Sequence, residues 1–159
     1  MAVGSILLAV FALSASLYFV TGTERVRRVL FFPEPASRRL VGEEHFVPRA
    51  RGMEEGLQML VKELLLGPAS YELGRLLPRS VKLRSVSVRE RVLYVDFSAD
   101  LVIDEGTVAL DLAGILQSVA NNAYFNFPRL RGVHVFVHGQ IPEVAGVSAA
   151  GLGYKKELV

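Results

Sequence analysis

Three histidines and a short run of aspartates are the side chains that could do acid–base or metal chemistry in this chain. His134 and His138 stand four residues apart in a segment that alternates between apolar and polar residues. This alternation predicts a β-strand with both rings on one face. At about 3.3 Å per residue the two positions are about 13 Å apart, too far for one metal ion. We therefore predict no metal site and no bound cofactor.

Asp96, Asp100 and Asp104 form the densest group of carboxylates, at and just after the end of a predicted strand. A glycosidase pair needs carboxyl groups about 5 Å or about 6.5 to 9.5 Å apart across a cleft, and a small two-layer domain offers little cleft. The structural alternative is that Asp96 lies on the outer face of its strand and that Asp104 helps to begin a helix near Thr107. No Gly-x-Ser-x-Gly elbow and no glycine-rich phosphate loop occurs. We predict no catalytic residue.

The composition excludes further kinds of chemistry. Cysteine is absent, so disulfides, thiolate metal sites, a cysteine nucleophile and a lipid-modified cysteine are all ruled out. Lys and Arg number 18 against 16 Asp and Glu, a net charge of +2. This excess is too small to predict a nucleic-acid-binding surface. A length of 159 residues, less an apolar leader, suits one compact domain.

The elements that position these side chains follow from the periodicity of apolar residues. In the first amphipathic segment, for example, Leu57, Leu60 and Val61 recur at helical spacing. The pattern predicts a strand over 26–32, an extended piece at 45–47, a helix over 53–66, strands over 81–89 and 92–98 joined by a tight turn, a helix over 107–125 and a strand over 133–138. This order predicts an α+β two-layer sandwich, with two amphipathic helices on one face of a small mixed sheet.

The face of the sheet opposite the helices is the surface that this arrangement leaves available. Together with the free edge of the sheet, it is where we expect another molecule to bind. Alternation along the strands predicts that this surface carries Tyr94, Asp96, His134, Phe136 and His138.

The first 23 residues contain no charged side chain, whereas four of the next five are charged. At 1.5 Å per residue, residues 2–23 would form about 33 Å of helix, enough to span a bilayer. This predicts a transmembrane anchor over residues 1–23. A cleavable signal peptide is the alternative, because Ala12-Leu13-Ser14-Ala15-Ser16 offers a cleavage site with small residues. Arg25, Arg27 and Arg28 follow the apolar run and none precedes it, a distribution that by itself favours a body in the cytoplasm.

Several stretches of the body match one family in order and spacing. They are Val29-Leu30-Phe31-Phe32-Pro33, Leu40-Val41-Gly42-Glu43-Glu44, Val47-Pro48-Arg49, Leu64-Leu65-Leu66-Gly67-Pro68, Leu77-Pro78, Val81-Lys82-Leu83, Val92-Leu93-Tyr94-Val95-Asp96-Phe97-Ser98, Gln117, Phe127-Pro128 and Val135-Phe136-Val137-His138-Gly139-Gln140. Over about residues 26–141 the chain resembles the GerMN domain of bacterial sporulation, spore germination and envelope proteins. It departs from that pattern at the turn Arg89-Glu90-Arg91, which usually contains glycine, and at His138, where an acidic residue is common.

The resemblance implies a ring-building-motif-like fold, a location outside the cytoplasm and no enzymatic role. We therefore expect a membrane-tethered module with a single N-terminal span in the cytoplasmic membrane and its body outside. It would bind another envelope protein or its own copies, in sporulation, germination or envelope assembly. The alternatives are an accessory domain that binds peptidoglycan and a wall hydrolase that uses Asp96 or Asp100. The domain is expected over residues 24–145, followed by a flexible tail over 146–159.

Overall fold

The computed structural model describes residues 2–21, 24–104, 106, 108–144 and 151–153. Its elements are α1 (Ala2–Thr21), β1 (Arg25–Pro33), β2 (Leu40–Pro48), α2 (Met53–Leu66), β3 (Leu83–Arg89), β4 (Val92–Phe97), α3 (Asp100–Ile103), α4 (Leu112–Asn126) and β5 (Gly132–Val137). The α+β class predicted from the sequence is confirmed.

The apolar leader forms α1, and large side chains along it are exposed, as at Phe11. Among the residues that the structure describes, no helix has both the length and the apolar character needed to cross a bilayer. The prediction of a single N-terminal membrane span is therefore wrong.

Three strands form the mixed sheet, in the order β3-β4-β5. β3 pairs antiparallel with β4, and β4 pairs parallel with β5. Parallel neighbours need a long connection, and α3 and α4 lie between these two strands in the chain. The hairpin turn between β3 and β4 places Glu90 at φ 52° and Arg91 at φ 66°. Positive φ at both central residues is typical of the two-residue hairpin turn whose twist matches that of the flanking strands. Neither residue here is glycine.

β1 and β2 form a separate antiparallel ribbon, paired from Arg25 with Pro48 to Pro33 with Leu40. The sequence predicts only a short extended piece at 45–47, yet β2 covers nine residues. The difference arises at Gly42, which interrupts the strand pattern and lies opposite Phe31. A Cβ on Gly42 would stand 2.9 Å from the Val29 side chain and 3.2 Å from the Phe31 ring, so the glycine makes room for both side chains.

α4 begins later than predicted. Its first turn is capped by Asp111, whose Oδ1 accepts a hydrogen bond from the Gly114 N–H at 2.9 Å. Thr107, the predicted start, lies outside the described residues. Asp104 has a different role, because it follows α3 and accepts a hydrogen bond from the Ser80 hydroxyl.

One hydrophobic core lies between the helices and both sheets. It contains Leu30 and Phe32 from the ribbon and Leu93 from the mixed sheet, all fully buried. Leu57 of α2 and Ile115 of α4 are also fully buried in it. The amphipathic faces predicted for both helices are therefore the faces that cover the core.

The 151–153 segment falls within the tail that the sequence predicts to be flexible. In the structure Leu152 is 3% exposed and forms a bridge with Val133 at the outer edge of β5. These three residues thus differ from the expectation, because a buried leucine holds them to the core. Residues 145–150 and 154–159 lie outside the described part of the chain.

Candidate interaction face

The face of the mixed sheet that no described helix covers carries two cross-strand rows, which we call the open face. Along β4 and β5 the side chains alternate between fully buried and partly exposed, so every second residue faces outward. The rows are Ser87, Tyr94 and His134, and beside them Ser85, Asp96 and Phe136. Four of the five residues predicted for this surface therefore lie together.

Aromatic rings dominate the open face. The Tyr94 and His134 rings are stacked, with centroids 5.1 Å apart and planes inclined by 7°. The Phe136 ring lies 6.5 Å from that of Tyr94 at 25°. Rings packed against each other lose little rotamer freedom when a partner binds. The three side chains thus form a preorganised apolar platform on the sheet.

His134 is fixed from its other side by the 151–153 segment. A Cβ built on Gly151 would lie 3.1 Å from the imidazole Nε2, so the glycine backbone stands directly against the ring. Tyr94 and Gly151 together hold the imidazole in one orientation. No sequence signal indicated this contact, because Gly151 and His134 belong to distant parts of the chain.

Asp96 is held by two contacts of its carboxylate. Its Oδ2 lies 3.1 Å from the Arg84 guanidinium, and its Oδ1 accepts a hydrogen bond from the Gly139 N–H at 2.9 Å. Both oxygens are therefore engaged in fixing the bulged start of β3 and the turn after β5. This geometry favours the structural interpretation of Asp96 over a catalytic one.

His138 does not lie in the strand rows with the other predicted residues. β5 ends at Val137, and His138 takes φ 53° in a turn closed by hydrogen bonds between Val137 and Gln140. The prediction that the strand extends to His138 is wrong, since the chain turns one residue earlier than the alternation suggests. Gly139, at φ 80°, was the available signal.

A shallow depression adjoins Tyr94 at the end of the platform. It has a volume of about 420 Å³ and is lined by Ser87, Arg89 and Tyr94. An aromatic ring, a hydroxyl group and a guanidinium group meet there. Such a set can contact an apolar surface and pair with a carboxylate or hydroxyl group at the same time.

A polar cluster that sequence reasoning missed lies on the inner side of the ribbon. The His45 ring nitrogens face the carboxylates of Glu43, at 2.8 Å, and Glu63, at 3.2 Å. Glu43 also accepts the backbone N–H groups of Ala69 and Ser70 at 2.9 and 2.8 Å. Glu43 lies outside the extended piece predicted at 45–47, so the sequence did not place it on one strand face with His45. Glu63 was also missed, because α2 supplies it.

The Glu43 pKa is lowered from its ordinary value of 4.5. Burial raises this pKa, but the hydrogen bonds from Ala69, His45 and Ser70 and the charge of His45 outweigh that effect. The cluster therefore contains an ionised carboxylate that ties β2 to the loop after α2. In the described part of the chain, no three acidic or histidine side chains are grouped so that they could hold a metal ion.

Asp100 and Arg28 also have structural contacts. Asp100 accepts a hydrogen bond from the Ser98 hydroxyl at 2.7 Å at the start of α3. Arg28 donates to the Asn126 carbonyl at 2.9 Å and lies over the Phe127 ring at 4.4 Å. Burial lowers the pKa of Arg28. The guanidinium thus covers the end of α4 rather than forming a freely solvated strand face.

Comparison with solved structures agrees with this fold. The first GerMN domain of the sporulation protein GerM from Bacillus subtilis is 18% identical, with a TM-score of 0.50 over 82% of this chain and 94% of that one. The tandem GerMN domains of the same protein give the same identity and TM-score over 82% of this chain and 45% of that one. The chain thus spans less than half of the two-domain structure. At this identity the likeness concerns the fold alone.

No curated protein matches the chain. The family model described as "Germane: Sporulation and spore germination" matches residues 16–143. The resemblance to GerMN domains that the sequence suggested is thereby confirmed. Because the match covers most of its residues, the chain belongs to the Germane family of sporulation and spore germination.

Proposed function

We propose that this protein is a non-enzymatic module of sporulation or spore germination that binds a protein through its open face. The partner is another protein of the cell envelope or a second copy of this chain. The observation that carries the proposal is the stack of Tyr94, His134 and Phe136 on a sheet face that no helix in the described part of the chain covers. Aromatic side chains are enriched in the energetically important centres of protein interfaces.

The charged groups around the platform support binding rather than catalysis. Both oxygens of Asp96 are engaged, so neither is free to act as a base toward a substrate. Arg84 and Arg89 are exposed at the margin of the face, where they would form the polar rim of an interface. We infer that a wall hydrolase is disfavoured, since both Asp96 oxygens are engaged and Asp100 accepts a hydrogen bond from Ser98 through one oxygen.

Site-specific photo-crosslinking in sporulating cells of the source organism tests the proposal. The crosslinking amino acid p-benzoylphenylalanine replaces Tyr94 in one variant and Tyr71 in another. Tyr71 is a fully exposed tyrosine outside the open face and provides the matched control. We expect a discrete crosslinked product from position 94 and none from position 71. A product of twice the chain mass would identify a second copy as the partner.

A charge introduced on the platform should abolish that product. Phe136→Asp places a carboxylate among the rings, whereas Phe46→Asp makes the same change at an exposed phenylalanine of the ribbon. We expect the crosslink from position 94 to disappear in the first variant and to persist in the second. Identical crosslinking from positions 94 and 71, or a product unaffected by Phe136→Asp, contradicts the proposal.

The depression beside Tyr94 favours a second candidate, an accessory domain that binds peptidoglycan. A ring next to Arg89 and Ser87 could contact sugar and carboxylate groups of a wall polymer. Co-sedimentation with purified sacculi distinguishes peptidoglycan binding from binding of a protein partner. If the polymer is the partner, Arg89→Ala lowers the pelleted fraction and Arg39→Ala, at an exposed arginine of the β1–β2 turn, does not.

A further inference from the structure

The 151–153 segment lies in a groove between the outer edge of β5 and α4. The Leu152 N–H donates to the Val133 carbonyl at 2.7 Å, which forms an antiparallel bridge. Residues directly opposite each other in such a bridge place their side chains on the same face. Leu152 therefore enters the core from the side of Val133, whereas Gly151 lies against His134 on the other face.

α4 supplies the opposite wall of the groove. The Gln117 side chain is 5% exposed and its Nε2 donates to the Gly153 carbonyl at 2.6 Å. The Tyr124 hydroxyl donates to the Leu152 carbonyl at 2.8 Å. Burial raises the pKa of Tyr124, so its hydroxyl stays protonated and able to donate. Like the bond to Val133, both contacts are made to the backbone of the segment.

Hydrogen bonds to the segment's backbone combined with one buried side chain are typical of a peptide strand added to a sheet edge. Backbone hydrogen bonds give affinity for any extended chain, and one apolar pocket selects the side chain between them. Glycine is needed at position 151, because its φ is +90° and a Cβ there would lie 3.0 Å from the Val133 carbonyl oxygen. The groove thus fits an extended peptide with an aliphatic residue that follows a glycine.

We propose that the groove between α4 and β5 is a peptide-binding site and that the 151–153 segment occupies it as an internal ligand. The ligand is an extended segment with a leucine or similar side chain between two small residues. Burial of one leucine and three hydrogen bonds is offset by the cost of ordering the segment. The balance is small enough for a peptide supplied by another molecule to compete.

Variants of the full-length chain that displace the segment test this site. Leu152→Asp removes the buried side chain, and Gly151→Val strains the backbone and clashes with Val133 and His134. The probe is a fluorescein-labelled peptide of residues 148–156, followed by fluorescence anisotropy. We expect both variants to bind it at least about tenfold more tightly than the parent chain, whose own segment competes. The same peptide with Leu152→Asp should not bind.

Two controls make the result specific to the groove. Leu66→Asp introduces the same charge at a leucine that is 70% exposed, and we expect it to bind the peptide as weakly as the parent chain. In the Leu152→Asp background, Tyr124→Phe removes one hydrogen-bond donor and should weaken binding several-fold.

The site is overturned if the displaced variants keep their far-ultraviolet circular dichroism yet bind no more tightly than Leu66→Asp. Should either variant fail to fold, the parent chain provides the second measurement. Millimolar peptide should then shift the amide nuclear magnetic resonance signals of Val133 and Gly153 at the groove. Unchanged signals at both positions would equally exclude the site.

Discussion

Glu43 is a side chain whose ionisation stabilises the fold. Its pKa is lowered in the folded chain, so it contributes stability that is fully present above the unfolded pKa of about 4.5 and is lost as the pH falls through the folded value. We predict that Glu43→Gln lowers the free energy of unfolding at pH 7 by about 1 to 3 kcal/mol. The difference from the parent chain should shrink below about pH 4.5. Urea unfolding between pH 3 and pH 7 measures both effects.

The neighbouring Glu44→Gln is the matched control for this prediction. Glu44 pairs with Arg27 at 2.7 Å, but both side chains are more than half exposed. Such surface pairs contribute about 0 to 1 kcal/mol. Equal losses of stability in the two variants, or a Glu43→Gln difference that does not change with pH, would show that the partly buried cluster of Glu43, His45 and Glu63 has no special role.

Side-chain alternation in the sequence located most of the open face but could not show what each residue contacts. Tyr94, His134 and Phe136 lie where a period of two places them, because a strand has no other way to orient its side chains. The strand prediction for His138 was wrong because a turn depends on backbone angles, and Gly139 was the only residue there that indicated one. The contact between Glu63 and His45 could not be predicted from the sequence, since the two residues are 18 positions apart and lie in different elements.

At the scale of elements, two asparagines of α4 complete the free edge of β1. The Asn122 side chain accepts the Phe31 N–H at 2.8 Å and donates to the Phe31 carbonyl at 3.1 Å. One helical turn later, Asn126 makes the same pair of contacts with Val29, at 3.3 and 2.7 Å. The spacing of two residues four apart on a helix thus matches that of two residues two apart on a strand. Because the asparagines occupy the backbone groups of this edge, it cannot pair with another chain there.

We predict that Asn122→Ala destabilises the protein by about 2 to 4 kcal/mol. The variant leaves two buried backbone groups of Phe31 without partners, at about 1 to 3 kcal/mol each. Asn126→Ala should cost about half as much, because its contacts are only partly buried and water can replace them. Chemical denaturation of both variants checks the order. A larger loss for Asn126→Ala than for Asn122→Ala would contradict this account.

The elements themselves were predictable to different degrees. The bounds of α2 agree with the apolar spacing, since a helix that covers a core must repeat every 3.6 residues. The β3–β4 hairpin was predicted from alternation, although its turn has positive φ at Glu90 and Arg91 without glycine. The separate ribbon was not predicted, because Gly42 interrupts the strand pattern of β2, and its close contact with Val29 and Phe31 of β1 cannot be read from the sequence.

At the scale of the whole molecule, the two sheets share one core and should unfold together. Leu30 of the ribbon and Leu93 of the mixed sheet are both fully buried in that core. We predict that Leu30→Ala, which should cost about 2 to 5 kcal/mol, lowers the amide hydrogen-exchange protection of β4 and β5 as much as that of β1. Native-state hydrogen exchange resolved by residue measures this directly.

Leu93→Ala is the reciprocal test of the shared core. If the core is one cooperative unit, this variant must reduce protection in β1 and β2 by the amount it reduces protection in β4. A ribbon that loses protection after Leu30→Ala while β4 and β5 keep theirs would instead form a separately unfolding unit. In that case the Asn122 and Asn126 contacts would join two independent parts. Equal losses in both directions would show that the open face is supported by the entire fold, including the ribbon on the far side of α4.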